Sequence, residues 1–321
     1  MNIIKLILLL LVIVIALLGG VATAIKLSSP APPPTMEAIA SPFRTMDFSK
    51  LHPLSRYAAR DGAQLAYRAY VSPQAKQTVV LIHGSSGSSM MMHALAEYLQ
   101  GQGIDVYVPD VRGHGESGTK GDIDYIGQLE NDLEDFIHEV LKDRADLTLV
   151  GFSSGGGFAL RFAASDKQNY FDRYILLAPF ISYNAPTTRT DNDKWASASV
   201  ARIIGISMLG SAGEKWLGHL PVIAFGIDPK NAQYQTGVYS YRLLKNFGAH
   251  YDYKTDMKNA KKPIAVLVGK DDELMYPQEY LPLFAKHQPH AEIAIVPEVG
   301  HISLITDEAG LAAIARQMQP E

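Results

Sequence analysis

The 321-residue chain contains no cysteine. That absence excludes disulfides, thiolate catalysis, cysteine-ligated zinc and a lipid-modified N-terminal cysteine. It leaves the compartment open, because a cysteine-free chain tolerates oxidising and reducing surroundings alike. A positive charge surplus is absent too. The chain has 29 Lys and Arg against 33 Asp and Glu, a formal net charge of −4, and this argues against a nucleic-acid partner. No P-loop, H-E-x-x-H or other metal-ligand spacing occurs, so neither a cofactor nor a metal is implied. Internal repeats are missing as well. What remains is a chain of ordinary apolar content, long enough for one large α/β domain.

The N-terminus departs from that average. Met1-Asn2-Ile3-Ile4-Lys5 is a short positive region, Leu6 to Leu18 is unbroken aliphatic sequence, and Ala22-Thr23-Ala24 fits a small-x-small cleavage site. The apolar stretch also reads as twenty residues, Leu6 to Ile25, enough to span a bilayer as a helix. Residues 1–25 are therefore expected to be a cleaved signal peptide or an uncleaved signal-anchor, with the globular part outside the cytoplasm, either secreted or periplasmic or held at the membrane. Lys5 and Lys26 flank the segment about equally, so charge gives little orientation. Ser28 to Thr35 includes three consecutive prolines, Pro32-Pro33-Pro34. Residues 26–47 accordingly read as a Pro-rich, extended linker.

From about residue 48 to 321 strands alternate with helices. Asp61-Gly62 between Arg56–Ala59 and Leu65–Tyr70 reads as an opening hairpin. Apolar runs at Thr78–Ile82, Val106–Pro109, Leu147–Val150, Tyr174–Leu177, Ile264–Val268 and Ile293–Val296 read as fully buried strands. Ile126, Leu129, Leu133, Phe136, Ile137, Val140 and Leu141 share one helical face. The pattern predicts an α/β fold with a mostly parallel sheet covered on both faces. The stretch from about 181 to 262 breaks the alternation with Trp195, Trp216, Tyr234, Tyr239 and Tyr241 among short helical patterns. It is expected to be a helical cap insertion over the site.

Three loops carry the chemistry. Gly151-Phe152-Ser153-Ser154-Gly155 follows one strand and opens a helix. A serine on such a sharp Gly-x-Ser-x-Gly corner is raised to the top of the sheet, where it serves as a nucleophile. Gly269-Lys270-Asp271-Asp272-Glu273 follows Ile264–Val268, and Pro297-Glu298-Val299-Gly300-His301 follows Ile293–Val296. A serine nucleophile needs a base, and the base an orienting acid. In open α/β sheets such groups stand at the carboxyl ends of strands. The chain order is Ser, acid, His. Gly113-His114-Gly115-Glu116-Ser117-Gly118 literally matches G-x-G-x-x-G. It does not lie on the first βα turn of its unit, and no acid ends the next strand, so it is not a dinucleotide site. Asp110 and Arg112 read as charges that fix that loop. His83 and His114 read as imidazoles bonded to their own loop backbone.

With Leu81-Ile82-His83-Gly84 and Asp110-Val111-Arg112-Gly113-His114-Gly115-Glu116-Ser117, these motifs make a set. Over most of residues 55–320 the chain resembles the α/β-hydrolase superfamily, in its monoacylglycerol lipase/lysophospholipase-like branch of the serine aminopeptidase S33 type. The resemblance implies Ser153 as nucleophile and His301 as base. It implies Asp272 as the acid, since the family's acid usually stands three residues after the glycine of its loop, with Asp271 and Glu273 as competitors. Some hydrolases place the acid one strand earlier, but Ala178-Pro179-Phe180-Ile181-Ser182 offers no carboxylate. The oxyanion hole would use the backbone N–H groups of Ser85 and Ser154. The activity implied is serine hydrolysis of carboxylic esters such as monoacylglycerols or lysophospholipids through an acyl-enzyme. The partner implied is a small-molecule or lipid ester. An S33-like peptidase, with Asp191, Asp193 or Glu214 receiving a free amino group, is the enzymatic alternative. A non-catalytic binding protein on the same fold is the other. Oligomeric state is not legible.

Overall fold

The computed structural model describes residues 3–142, 144–190 and 195–318, apart from the side chains at 14, 17, 18 and 231. The helices are α1 (Ile3–Leu27), α2 (Glu37–Thr45), α3 (His93–Gly101), α4 (Gln128–Val140), α5 (Ser154–Ala163), α6 (Val200–Met208), α7 (Gly210–Leu217), α8 (Tyr241–Asn246), α9 (Tyr253–Asn259), α10 (Tyr280–His287) and α11 (Glu308–Gln317). The strands are β1 (Leu54–Ala58), β2 (Gln64–Tyr70), β3 (Thr78–Ile82), β4 (Asp105–Pro109), β5 (Leu147–Phe152), β6 (Arg173–Leu177), β7 (Ala196–Ala198), β8 (Pro221–Phe225), β9 (Val238–Ser240), β10 (Ile264–Gly269) and β11 (Glu292–Val296).

Eight strands form one sheet in the order β1-β2-β4-β3-β5-β6-β10-β11. β4, β3, β5, β6, β10 and β11 are parallel to one another, and β2 runs against both of its neighbours. Every residue of β3, β4 and β10 is buried. A parallel strand covered on both faces has no solvent side to carry polar residues, which is why these segments read as continuous apolar runs rather than alternating ones. On α4 the buried apolar side chains are Leu129, Leu133, Phe136 and Ile137, the one face expected of a helix against a sheet. The α/β-hydrolase fold with a mostly parallel sheet stands as read from the sequence.

The cap is more than helical. Between β6 and β10 lie α6 to α9 and a separate antiparallel sheet in the order β7-β8-β9. Strands of three to five residues are too short to show a period of two, so the segment reads as short helical patterns and loops.

The N-terminal region also differs from expectation. Helix α1 continues to Leu27, past the predicted limit at residue 25, and its Ile25 is buried in a small cluster with Ile206, Val222 and Tyr241 of the cap. Among the described residues no helix is long and apolar enough to cross a membrane. The stretch read as linker contains a helix, α2, whose Ile39, Ala40 and Phe43 are buried. Its proline-rich part, 28–36, has no regular structure. It is nonetheless fastened to the cap: Arg202 Nη2 donates to Ser29 Oγ at 2.8 Å, and Thr35 Oγ1 donates to the Ile227 carbonyl at 3.1 Å.

Candidate active site

β5 delivers Ser153. The turn from strand to helix is so tight that a Cβ at Gly151 would stand 2.1 Å from the Gly155 carbonyl oxygen, and one at Gly155 would stand 2.4 Å from that of His83. Only glycine fits either position. Ser153 itself has φ 53° and ψ −117°, a conformation that costs a non-glycine residue of the order of 1–3 kcal/mol. It is held there by its own N–H, which donates to the Leu177 carbonyl of β6 at 2.8 Å, and by its carbonyl, which accepts from Phe180 N–H at 2.9 Å. The strain presents the side chain above the sheet rather than in it.

β10 and β11 deliver the other two groups. Their loops abut at Gly269, where a Cβ would meet the Val299 carbonyl at 2.2 Å. Lys270 N–H donates to Val296 and Asp271 N–H to Val299, at 2.8 and 3.0 Å. His301 Nδ1 lies 2.8 Å from Asp272 Oδ2, and His301 Nε2 lies 3.1 Å from Ser153 Oγ. Asp272 Oδ1 accepts the N–H groups of Leu274 and Met275, each at 2.8 Å. A carboxylate accepts only, so Nδ1 carries the imidazole proton and Nε2 is left with its lone pair toward the serine. Asp272 is fully buried, and Ser153 keeps 8 % of its surface. The three residues singled out from sequence are thus one hydrogen-bonded row, open at the serine.

The competitors separate. Asp271 is exposed. Glu273 is half-buried and accepts the His301 backbone N–H at 2.8 Å. It helps fix the histidine loop, a role whose only signal in the sequence is its place beside Asp272. Asp191 and Asp193 lie outside the described residues, and Glu214 sits half-buried on α7.

Ser154 heads α5, where the first N–H groups have no partner within the helix. The Ser85 hydroxyl contacts the Ser154 hydroxyl, so the two loops meet beside Ser153. Ser86, in the left-handed region at φ 63°, is gripped from the cap: its N–H donates to Tyr239 Oη at 2.6 Å and its hydroxyl to the Thr236 carbonyl at 2.8 Å. Beneath this loop His83 Nδ1 bonds the Gly84 carbonyl at 2.8 Å, and its Nε2 accepts Val111 N–H at 3.1 Å. His114 Nδ1 lies 3.2 Å from the Val111 carbonyl and its Nε2 lies 2.6 Å from Tyr239 Oη. Burial pushes both histidines below the ordinary value, His114 well below, with His83 beside it adding to the effect. Both are neutral props of loops. Arg112 is fixed between Asp132 and Asp61 at 2.7 and 3.0 Å, and Asp110 takes the N–H groups of Ser89 and Glu116.

A cavity opens at Ser153 and His301. Its walls are apolar for the most part, with Ile39, Phe43, Met91, Phe152, Trp195 and Ile305 among them. Gln235 is a polar exception, buried, with no hydrogen-bond partner for Oε1 among the described residues. Among the described residues no Asp or Glu lines the cavity. Among the described residues no cluster of His, Asp and Glu could hold a metal ion.

A parallel sheet with a serine on a strained turn after β5, and an acid and a histidine after β10 and β11, defines an α/β-hydrolase. Residues 73–308 match the family described as serine aminopeptidase, S33, and the chain belongs to that family. Monoglyceride lipase of Saccharomyces cerevisiae is 29 % identical over 153 residues, 42 % of this chain; the match spans only 49 % of that enzyme's length. Monoacylglycerol lipase ABHD6 of Mus musculus is 20 % identical over 261 residues, 77 % of this chain and 76 % of the relative. The crystal structure of a soluble variant of the S. cerevisiae monoglyceride lipase in complex with a substrate analog superposes with a TM-score of 0.65 at 19 % identity, covering 90 % of this chain and 98 % of that one. At that identity the structural likeness is one of fold.

Proposed function

We propose that the protein is a serine hydrolase that cleaves carboxylic esters with an apolar acyl chain, of the monoacylglycerol or lysophospholipid kind. The observation that carries the proposal is the row Ser153–His301–Asp272, with separations of 3.1 and 2.8 Å, at the floor of an apolar cavity. Ser153 Oγ attacks the ester carbonyl and passes its proton to His301 Nε2, while Asp272 holds the imidazole and stabilises its charged form. The amides of Ser154 and Ser85 receive the oxyanion, a contribution of about 3–4 kcal/mol per donor in comparable sites. Collapse breaks the carbonyl–oxygen bond, and His301 returns the proton to the departing alcohol. A water then gives its proton to His301 and attacks the acyl-enzyme. The acid leaves, and the proton goes back to Ser153 Oγ.

Two features support an ester over a peptide. An aminopeptidase must receive a charged amino group, and burying an ammonium without a carboxylate is costly; the described cavity wall has none. The unpartnered Gln235 Oε1 suits a donor hydroxyl on the alcohol part of the substrate. The names of the lipase relatives point the same way. The deciding experiment compares p-nitrophenyl esters with aminoacyl-naphthylamides and labels the protein with a fluorophosphonate, followed by peptide mapping. Ester turnover with attachment at Ser153 is expected. Faster amide turnover would give the peptidase reading precedence. A folded protein with neither turnover nor label would be a binding protein on a hydrolase fold.

A further inference from the structure

The cavity above Ser153 is not closed by the hydrolase domain and cap alone. Ile39 and Phe43, one turn apart on α2, form part of its wall together with Trp195 of the cap and Met91, Ile302 and Ile305 of the main domain. Both are buried, at 5 and 8 % exposure. Nothing intrinsic to α2 makes it a strong helix. It has nine residues, an interior Pro42 and no side-chain N-cap, and a helix that short is marginal without tertiary contacts. What holds it is docking at both ends. On one side Arg44 Nε reaches Asp228 Oδ2 at 2.6 Å, in the cap loop after β8, while its Nη1 meets Glu37 at 2.8 Å. On the other, the proline run crosses the cap so closely that a Cβ at Gly226 would stand 2.3 Å from the Pro34 carbonyl. The apolar face thus delivered points at the space beside the serine. The space there, an empty volume of about 440 Å³ counted with its open mouth, is bounded on one side by these two side chains.

We infer that α2 is the adjustable wall of the acyl pocket and that Ile39 and Phe43 are specificity-determining residues for acyl length. This rests on the ester-hydrolase reading above. The other walls belong to the sheet's own loops and the cap, whereas α2 is a short helix fastened by a half-exposed ion pair and a strap. Phe43 lines the same cavity as Ser153, so its size sets the room left for a chain bound there.

The test is the acyl-length profile of the full chain on p-nitrophenyl butyrate, octanoate and dodecanoate, for wild type, Phe43→Ala, Phe43→Trp and Ile39→Val. Phe43→Ala is expected to raise the dodecanoate-to-butyrate ratio of kcat/KM by about tenfold or more, the discrimination that a few buried methylenes confer; Phe43→Trp is expected to lower it. Thermal melts report folding, and should Phe43→Ala fail to fold, the two smaller changes decide: Phe43→Trp lowers the ratio and Ile39→Val raises it. Alkyl fluorophosphonates of butyl and dodecyl length give a second readout at Ser153, free of the deacylation step. Turnover and labelling with unchanged length ratios in every folded variant would overturn the inference and leave the ester-hydrolase reading intact. Absence of both turnover and labelling in wild type would remove the reading, and the inference with it.

Discussion

The phenol of Tyr239 accepts the backbone N–H of Ser86 at 2.6 Å across 153 residues of sequence, and its own proton goes to His114 Nε2 at 2.6 Å. One cap hydroxyl therefore ties the loop after β3 to the loop after β4. It sits where burial pushes a phenol above its ordinary value, so the hydroxyl stays protonated. Tyr239→Phe would strand a buried donor and a buried acceptor, at about 1–3 kcal/mol of stability. It would also loosen the loop that carries the Ser85 amide. Thermal melts are expected to fall by several degrees. Because an oxyanion contact matters most in the transition state, kcat should drop about tenfold or more with KM nearly unchanged. A variant with wild-type kcat would show that the cap does not position this loop.

Substitutions in the row itself should differ in character. Ser153→Ala is expected to abolish fluorophosphonate labelling and to lower kcat by about 10⁶-fold, the scale at which a nucleophile's removal has been felt elsewhere. Asp272→Asn keeps the shape but presents donor atoms to a histidine whose Nδ1 must donate. It also weakens acceptance of the Leu274 and Met275 amides. A loss of about 10⁴-fold in kcat, with the fold retained, is expected from the wrong tautomer alone. Equal kcat for Asp272→Asn and wild type would move the acid role elsewhere.

The main sheet and the row were readable because both obey local rules. A doubly covered strand must be apolar throughout, so Thr78–Ile82 emerged with its observed limits. A nucleophile corner must be built of small residues, so Gly151 and Gly155 marked Ser153 before any geometry was known. What escaped was set by partners distant in sequence. Helix α2 lay hidden under prolines because its helicity comes from Ile39 and Phe43 finding a pocket and Arg44 finding Asp228. The cap strands were too short for a period. Tyr239 read as one aromatic among several, since its role depends on Ser86 and His114, and Glu273 read as a competitor of Asp272, since its bond to the His301 N–H spans 28 residues.

The buried histidines imply an acid limit to stability. His83 and His114 both have folded-state values lowered from the ordinary 6.5, largely through burial. The unfolded chain therefore binds protons at a higher pH than the folded one. Stability is fully present above about pH 6.5 and is lost as pH falls from there toward the folded values, so it rises with pH across that window. Melting temperature should be flat from about pH 7 to 8 and decline steeply below about pH 6. Asp110, the charged group that works against the shift at His83, softens the decline without reversing it. A melting temperature that stays flat down to about pH 5 would mean that one of these rings is solvated or paired with a carboxylate in solution.

Exposed apolar surface on α1 and on the cap bears on where the protein works. Along α1 the apolar side chains from Ile3 to Ile13 are exposed, Ile3 at 73 % for example. At its C-terminal end the helix packs on α6 so tightly that a Cβ at Gly205 would meet Ile25 at 2.8 Å. On α6, Val200, Ile204 and Met208 recur every four residues and are exposed, Met208 at 71 %, with Trp216 of α7 at 69 %. Exposed apolar surface on this scale marks a site of association. Helix α1 and the cap stripe adjoin at Gly205, next to the strap that leads to the acyl pocket, so we propose that this face lies on a lipid surface from which an apolar ester would be drawn. Full-length protein is expected to float with phosphatidylcholine–phosphatidylglycerol vesicles, a deletion of residues 1–27 to float weakly, and that deletion with Val200, Ile204 and Met208 changed to Ser not at all. Intact mass of protein recovered from its producing cell separates an anchor from a leader: retention of residues 1–24 means α1 stays with the enzyme at the membrane, and their loss leaves the cap stripe as the membrane contact. Full-length protein that stays entirely in the unbound fraction would refute the membrane assignment for both elements.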